Sequence, residues 1–387
     1  MTGNKNPLQE LAEYGQSVWY DNLNRELIRS GDLQRMVDND NVTGGTSNPS
    51  IFEKAVGAGD TYDADIRRLV DEGRSMPEIY DALTITDIRL SCDTFGPVYE
   101  RTQGRDGFAS LEVSPEIAYD TTATAADARR LFTALARPNA MIKIPGTPQG
   151  LPAVERCLAD GCNINITLLF GVENYADVAE TYIRALETRL RRGQPVDRIA
   201  SVASFFVSRV DTLVDKKLDE KIAAGGDATK LEALKGKAGV ANARIAYAKY
   251  KEIFSGGRWA KLEAAGARVQ RCLWASTSTK NPTYRDVIYV EELIGPQTIN
   301  TMPQATLDAF RDHGRLRNSL EEDVDAAFAH VKALAAAGIE LRTVTDELQT
   351  QGVDLFADSY HKANDTVRQK RDKILTEKGA GTAARGD

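Results

Sequence analysis

The chain has 387 residues, 42% hydrophobic and 27% charged, with a formal net charge of −7. That is the composition of a globular protein, and the acidic balance argues against nucleic acid or an anionic membrane as a partner, while leaving room for a local basic pocket that takes phosphate. The sequence shows no basic-then-apolar leader and no apolar run of membrane-spanning length, and of the four cysteines, Cys92, Cys157, Cys162 and Cys272, the close pair Cys157 and Cys162 is not in zinc-ligand spacing with histidine, so free thiols and a cytoplasmic location are expected.

Short apolar segments alternate with longer amphipathic ones. Eight strand candidates span 17–20, 42–46, 108–113, 141–144, 163–169, 199–206, 269–275 and 299–302. Helical patterns lie between them, at 24–30, 151–160, 172–191 and 231–254. Strand–helix alternation implies parallel βαβ units, and eight of them imply a single (β/α)₈ barrel, an α/β fold. A doubly wound open sheet is the alternative, but neither a GxGxxG nor a Walker sequence supports a nucleotide fold. Two connections are long: 53–106 holds several helices, and 209–266 holds a charged helical hairpin whose run 213–237 reads as a solvated face. The segments 320–341 and 344–374 read as helices, the second closing the barrel. One catalytic barrel domain over 1–375 is expected, followed by a disordered tail over 376–387.

In such a barrel the chemistry sits where strands meet their following helices. The first strand ends at Asp21, which alone reads as a helix cap. The third carries Glu112, a single charge in an apolar strand. The fourth carries Lys143 between Ile142 and Ile144, before Pro145 and Gly146 stop the run and Thr147-Pro148 opens a helix. An ammonium in apolar surroundings is costly, and a partly neutral lysine attacks carbonyl carbon, which is the first requirement of Schiff-base chemistry. The plainer reading is a lysine that snorkels or pairs with Glu112 to hold the barrel together. A carboxyl in a dry lumen has a raised pKa and suits proton transfer near neutral pH.

In the fifth strand Asn163, Asn165 and Thr167 alternate with apolar residues, so period two puts them on one face, the lumen. They form either a satisfied polar layer or a set of substrate ligands. Arg209 and Lys280 follow the sixth and seventh strands among Ser276, Ser278 and other hydroxyls, a composition that suits phosphate. His313, His330 and His361 fall outside the strand ends, which argues against a histidine triad or a histidine-rich metal site.

Taken in order, Asp21, GTSNPSIF, SLEV around Glu112, IKIPGT around Lys143, NINITLLF, SFFVSR and the closing VTDELQTQGVDLFADSYHK resemble transaldolase, a class I Schiff-base aldolase family. The inserts and ASTSTKN look most like its bacterial subgroup found in actinobacteria. The resemblance implies a transferase of the pentose phosphate pathway that moves dihydroxyacetone between sugar phosphates. It implies Lys143 as Schiff-base lysine, Asp21 as the group handling the C4 hydroxyl proton, and Glu112 with Thr167 holding a water. It implies Asn48, Asn165 and Ser204 on the dihydroxyacetone hydroxyls, and Arg209 with Ser276 on phosphate. Phe206 stands where transferases of the family carry Phe and fructose 6-phosphate aldolases carry Tyr. Many members have Arg in the stretch after the seventh strand; here the stretch is longer and Lys280 is its only cation. Lysine neutralises phosphate but lacks the guanidinium fork. No cofactor or metal is expected, because the iminium is the electron sink. The expected partners are small-molecule sugar phosphates, with the chain a monomer or homodimer. Rival readings are a Schiff-base aldolase that releases dihydroxyacetone, a non-covalent sugar-phosphate isomerase with Glu112 as base, and a non-catalytic binding barrel.

Overall fold

The computed structural model describes residues 5–383. Eight parallel strands close into a barrel in sequence order: β1 (Gln16–Tyr20), β2 (Val42–Thr46), β3 (Ala109–Glu112), β4 (Ala140–Pro145), β5 (Ile164–Leu169), β6 (Ser201–Phe206), β7 (Arg271–Ala275) and β8 (Thr298–Met302). The open-sheet alternative is thereby removed, since β8 pairs with β1 over Gln16↔Thr298 to Tyr20↔Met302.

Alternation sorts each strand into two faces. In β4, Ile142 and Ile144 join the outer core that packs against the surrounding helices, while Met141 and Lys143 face the lumen. In β7, Cys272 and Trp274 face out, and Leu273 and Ala275 face in. Trp19, Phe108, Met141, Val202 and Ile299 are all buried in one cluster and form an apolar floor to the lumen. Lys143, Glu112 and Thr167 lie above this floor, toward the carboxyl ends of the strands, while a separate polar group, Asp106 with Ser17, Thr43 and Arg271, lies on its amino side.

β2, Val-Thr-Gly-Gly-Thr, is a weak strand by composition, yet the barrel needs its glycines. A Cβ on Gly44 would lie 2.5 Å from the Trp19 indole and 2.8 Å from the Phe108 carbonyl oxygen, and one on Gly45 would lie 2.8 Å from Leu23.

Several helices start or stop away from their sequence-based positions. The helix after Lys143 is Gly150–Ala159, so Pro148 is not its first residue. Thr147 still does part of a cap's work, because its hydroxyl oxygen accepts from the Gly150 amide at 2.9 Å. The pattern over 231–254 divides into Ala228–Glu232 and Ala238–Ile253, with Gly236 at φ +67° making the turn between them. The helix read over 320–341 is Val324–Ala336. The last helix runs Leu341–Ala383, so the tail is helical from Thr376 to Ala383, and its final four residues lie outside the described ones. This helix packs on the first long insertion: Ala363, Val367 and Ile374 share a core with Phe52, Val56, Tyr62, Ile66 and Ile79. No helix among the described residues is long and apolar enough to cross a membrane.

Gly44→Ala is expected to lower stability by about 1–3 kcal/mol, the range for overpacking a dense core, as read by urea denaturation. Unchanged stability would mean that the Trp19 ring and the Phe108 carbonyl can retreat from the new methyl group.

Candidate active site

The strand register builds the centre of the site. Glu112 pairs with Lys143 across β3–β4, and Lys143 with Asn165 across β4–β5. In-register residues of parallel strands share a face, so three polar side chains stand in a row in the lumen. Lys143 Nζ lies 3.4 Å from Glu112 Oε2, and both side chains are buried, 6% and 4% exposed. Burial pushes the Glu112 carboxyl up to about 6; the Lys143 charge opposes that rise and Asp21 adds to it. Neither Glu112 oxygen has a hydrogen-bond partner among the described residues, and the buried Thr167 hydroxyl has none either. Buried polar atoms are nearly always paired, so three orphans beside a buried lysine mark a place built for another molecule.

Three residues on one face of the fifth strand segment have three different fates. Asn163 is spent on structure: its amide donates to the Pro138 and Ala140 carbonyls, and its oxygen accepts from the Ala200 amide. Asn165 donates to Ser110 Oγ at 3.1 Å and accepts from Ser204 Oγ at 2.6 Å, so it holds Ser204 in place. Thr167 is left free.

A cavity of about 310 Å³ opens above this row, lined by Asp21, Asn48, Lys143, Thr167, Ser204, Phe206, Arg209, Ser276, Ser278 and Lys280. Asp21 does not cap the first barrel helix; Asn24 does, accepting from the Leu27 amide. Asp21 instead accepts from the Thr46 hydroxyl at 2.6 Å and reaches the cavity. Asn48 caps Pro49–Gly57 with its side-chain oxygen. The Arg209 guanidinium lies 5.4 Å from the Phe206 ring centre and has no ion pair among the described residues. Its burial lowers its pKa, with Asp21 opposing. Enclosure, then the charge of Arg209, also lower that of Lys280, whose ammonium donates to Ser278 Oγ. Asp21 is the one carboxylate among the described residues lining the cavity against Arg209 and Lys280, so these two mutually repelling cations leave positive charge at the rim for an anion. Ser276, at φ +56°, holds its hydroxyl 3.0 Å from Ser208 Oγ, and a non-glycine residue in that region is strained, as at many ligand sites.

Reading strand ends missed three contributors. Phe356, on the last helix, puts its ring centre 5.3 Å from Lys143 Nζ and roofs the cavity. The same helix places Gln349, seven residues earlier on the same face, within 3.1 Å of the Gly146 and Leu168 carbonyls at the ends of β4 and β5. Lys54 lines the cavity and the vestibule of about 430 Å³ outside it. It lies four residues after Ser50, which also lines both, so the helical spacing could have found it.

A family model described as Transaldolase/Fructose-6-phosphate aldolase matches residues 18–367. The chain belongs to that family. It is 50% identical over 371 residues to a protein named Transaldolase 2 from Nostoc punctiforme, spanning 94% of this chain and 97% of that one. It is 48% identical over 374 residues to a protein named Transaldolase from Trichodesmium erythraeum, spanning 95% and 98%. It is 47% identical over 365 residues to one named Transaldolase from Thermobifida fusca, spanning 94% and 98%.

The infrared band of a protonated carboxylic acid is expected to disappear with a midpoint of about 6 for Glu112. In Lys143→Met the midpoint moves upward, because the cation that favours the carboxylate is gone. An unmoved midpoint would show that the two groups do not interact.

Proposed function

We infer that the chain acts as a transaldolase, moving a dihydroxyacetone unit from sedoheptulose 7-phosphate or fructose 6-phosphate to glyceraldehyde 3-phosphate or erythrose 4-phosphate. The observation that carries this reading is the buried Lys143–Glu112 pair, 3.4 Å apart, at the base of a cavity whose rim holds Arg209 and Lys280. A nucleophile lies inside and an anion site at the rim, which suits a ketose with its carbonyl at one end and its phosphate at the other.

Lys143, as the neutral amine after passing a proton to Glu112, attacks the ketose C2 and forms a carbinolamine. Glu112, with a water shared with Thr167, delivers the proton on which the C2 hydroxyl departs, leaving the iminium. Asp21 takes the proton of the C4 hydroxyl as the C3–C4 bond breaks, and the aldose phosphate leaves. The electrons of that bond stay on the three-carbon fragment as an enamine conjugated to Lys143. Asn48 and Ser204 bond its hydroxyls, with Asn165 fixing Ser204. Phe206 and Phe356 keep proton donors away. A new aldose phosphate, held by Arg209, Ser276 and Lys280, accepts the fragment by the reverse steps, and Asp21 returns its proton. We place this work in one catalytic domain in the cytoplasm.

Incubation with fructose 6-phosphate and borohydride, followed by peptide mass spectrometry, is expected to find a three-carbon adduct on Lys143. Absence of an adduct would favour the isomerase reading. Transfer to glyceraldehyde 3-phosphate, rather than release of dihydroxyacetone, separates transaldolase from aldolase. Phe206→Tyr is expected to raise release relative to transfer. Lys143→Ala is expected to abolish turnover; even a tenth of the original rate, a loss of about 1.4 kcal/mol in transition-state stabilisation, would exclude the Schiff base.

A further inference from the structure

Glu112 stands between two cavities. On one side is Lys143 and the site above it. On the other is a separate cavity of about 580 Å³, whose wall includes Glu112, Tyr80 and Tyr360. Asn48 borders both spaces, so the two adjoin at this point of the barrel wall.

The two openings carry opposite charge. The front holds Lys54, Arg209 and Lys280 against Asp21. The rear holds Asp81, Glu116 and Asp127 against Arg130, which is committed to Asp81 at 2.5 Å and to Asp127 at 2.6 Å. A phosphate ester is drawn to the first and repelled by the second. Small neutral molecules and protons are not excluded from the rear.

Carbinolamine collapse releases one water for each Schiff base formed, and a ketose phosphate seated in a cavity of about 310 Å³ stands across the front path. We propose that the rear cavity is the water and proton route of the site, separate from the entrance that sugar phosphates use, with Glu112 as the partition between them. The inference rests on the role given to Glu112 above. Its carboxylic acid protonates the carbinolamine hydroxyl, the C–O bond breaks, and iminium, water and Glu112 carboxylate result. The water leaves past Glu112 to the rear, and a proton from bulk solvent, relayed by rear water, returns to the carboxylate. Both Glu112 oxygens are sealed in the resting structure, so a turn of this side chain makes the connection. Tyr80, whose ring contacts Phe52 and Tyr360 edge-on at 5.1 Å each, forms the adjoining wall.

The test is loss of label from fructose 6-phosphate carrying ¹⁸O at C2. Loss to bulk water requires the released water to leave before it adds back. Ala126, exposed on helix Thr121–Leu135, lines the rear cavity, and the four native cysteines are buried. Ala126→Cys can therefore be blocked after folding with a bulky thiol reagent. Blocking is expected to slow enzymatic ¹⁸O loss at least tenfold while the donor KM stays within twofold. Ala123→Trp, from the same wall, is expected to do the same without a reagent. Exchange within twofold of the unblocked protein in both would overturn the rear route. Glu112→Gln separates the two claims: wild-type exchange in that variant would sink the role of Glu112 itself, whereas slow exchange there with fast exchange in the blocked protein would sink only the route.

Discussion

The structure depends on placing an ammonium and a carboxyl together in a lumen that water barely reaches. Removing two charges from water costs several kcal/mol each, and their attraction repays that only when geometry and further hydrogen bonds are good. Here they are not. The pair is 3.4 Å apart, and the carboxylate makes no hydrogen bond within the described protein. A purely structural ion pair would be better satisfied. The same cost raises the Glu112 pKa. It is raised in the folded chain from an ordinary 4.5 to about 6, so the folded state binds the proton more tightly than the unfolded one. That contribution to stability is complete below pH 4.5 and is lost as pH rises through 6, a difference of about 2 kcal/mol. At neutral pH the fold tolerates a destabilised carboxylate that is close to its own titration point, which is the condition for giving and taking protons.

The rest of the barrel compensates around that row. Below it, Trp19, Phe108 and Met141 close the lumen with apolar area, and Gly44 gives up its side chain so that the Trp19 ring fits. Above it, strands cannot supply a roof, because they end there. The roof comes from the last helix, which brings Phe356 over Lys143 and anchors Gln349 on the carbonyls of β4 and β5. That helix is held from outside by the first long insertion. An insertion without catalytic residues at strand ends thus has a function in the site: it fixes the element that covers the lysine.

Much of this was legible in the sequence, for a reason that differs by residue. Lys143 and Glu112 were legible because a charge inside an apolar period-two run has no cheap structural explanation. Their pairing was only one alternative in the sequence, because the register that sets Glu112 against Lys143 is fixed by two strands together and not by either run alone. Asn165 and Thr167 were legible as lumen residues, but the pattern could not say that Asn163 spends its amide on the Pro138 and Ala140 carbonyls while Thr167 keeps its hydroxyl free. Asp21 looked like a cap because Asp, Asn and a following helix sit within four residues, and only the structure gives the cap to Asn24. Thr147 shows the converse: the capping chemistry was right and the helix start was two residues off. Phe356 lay more than two hundred residues from Lys143, and no local rule connects them.

The arrangement of charge resolves a conflict built into this chemistry. Forming the iminium needs a proton and expels water, whereas keeping the enamine intact needs both to stay away. One entrance serving every species would expose the enamine each time an aldose phosphate leaves. Separate approaches remove the conflict, because the cationic front responds to phosphate and the anionic rear does not. Glu112 then has two neighbours at different times, Lys143 and its substrate on one side and water on the other. A carboxyl with a pKa of about 6 can serve both, since at neutral pH neither its acid nor its base form is rare.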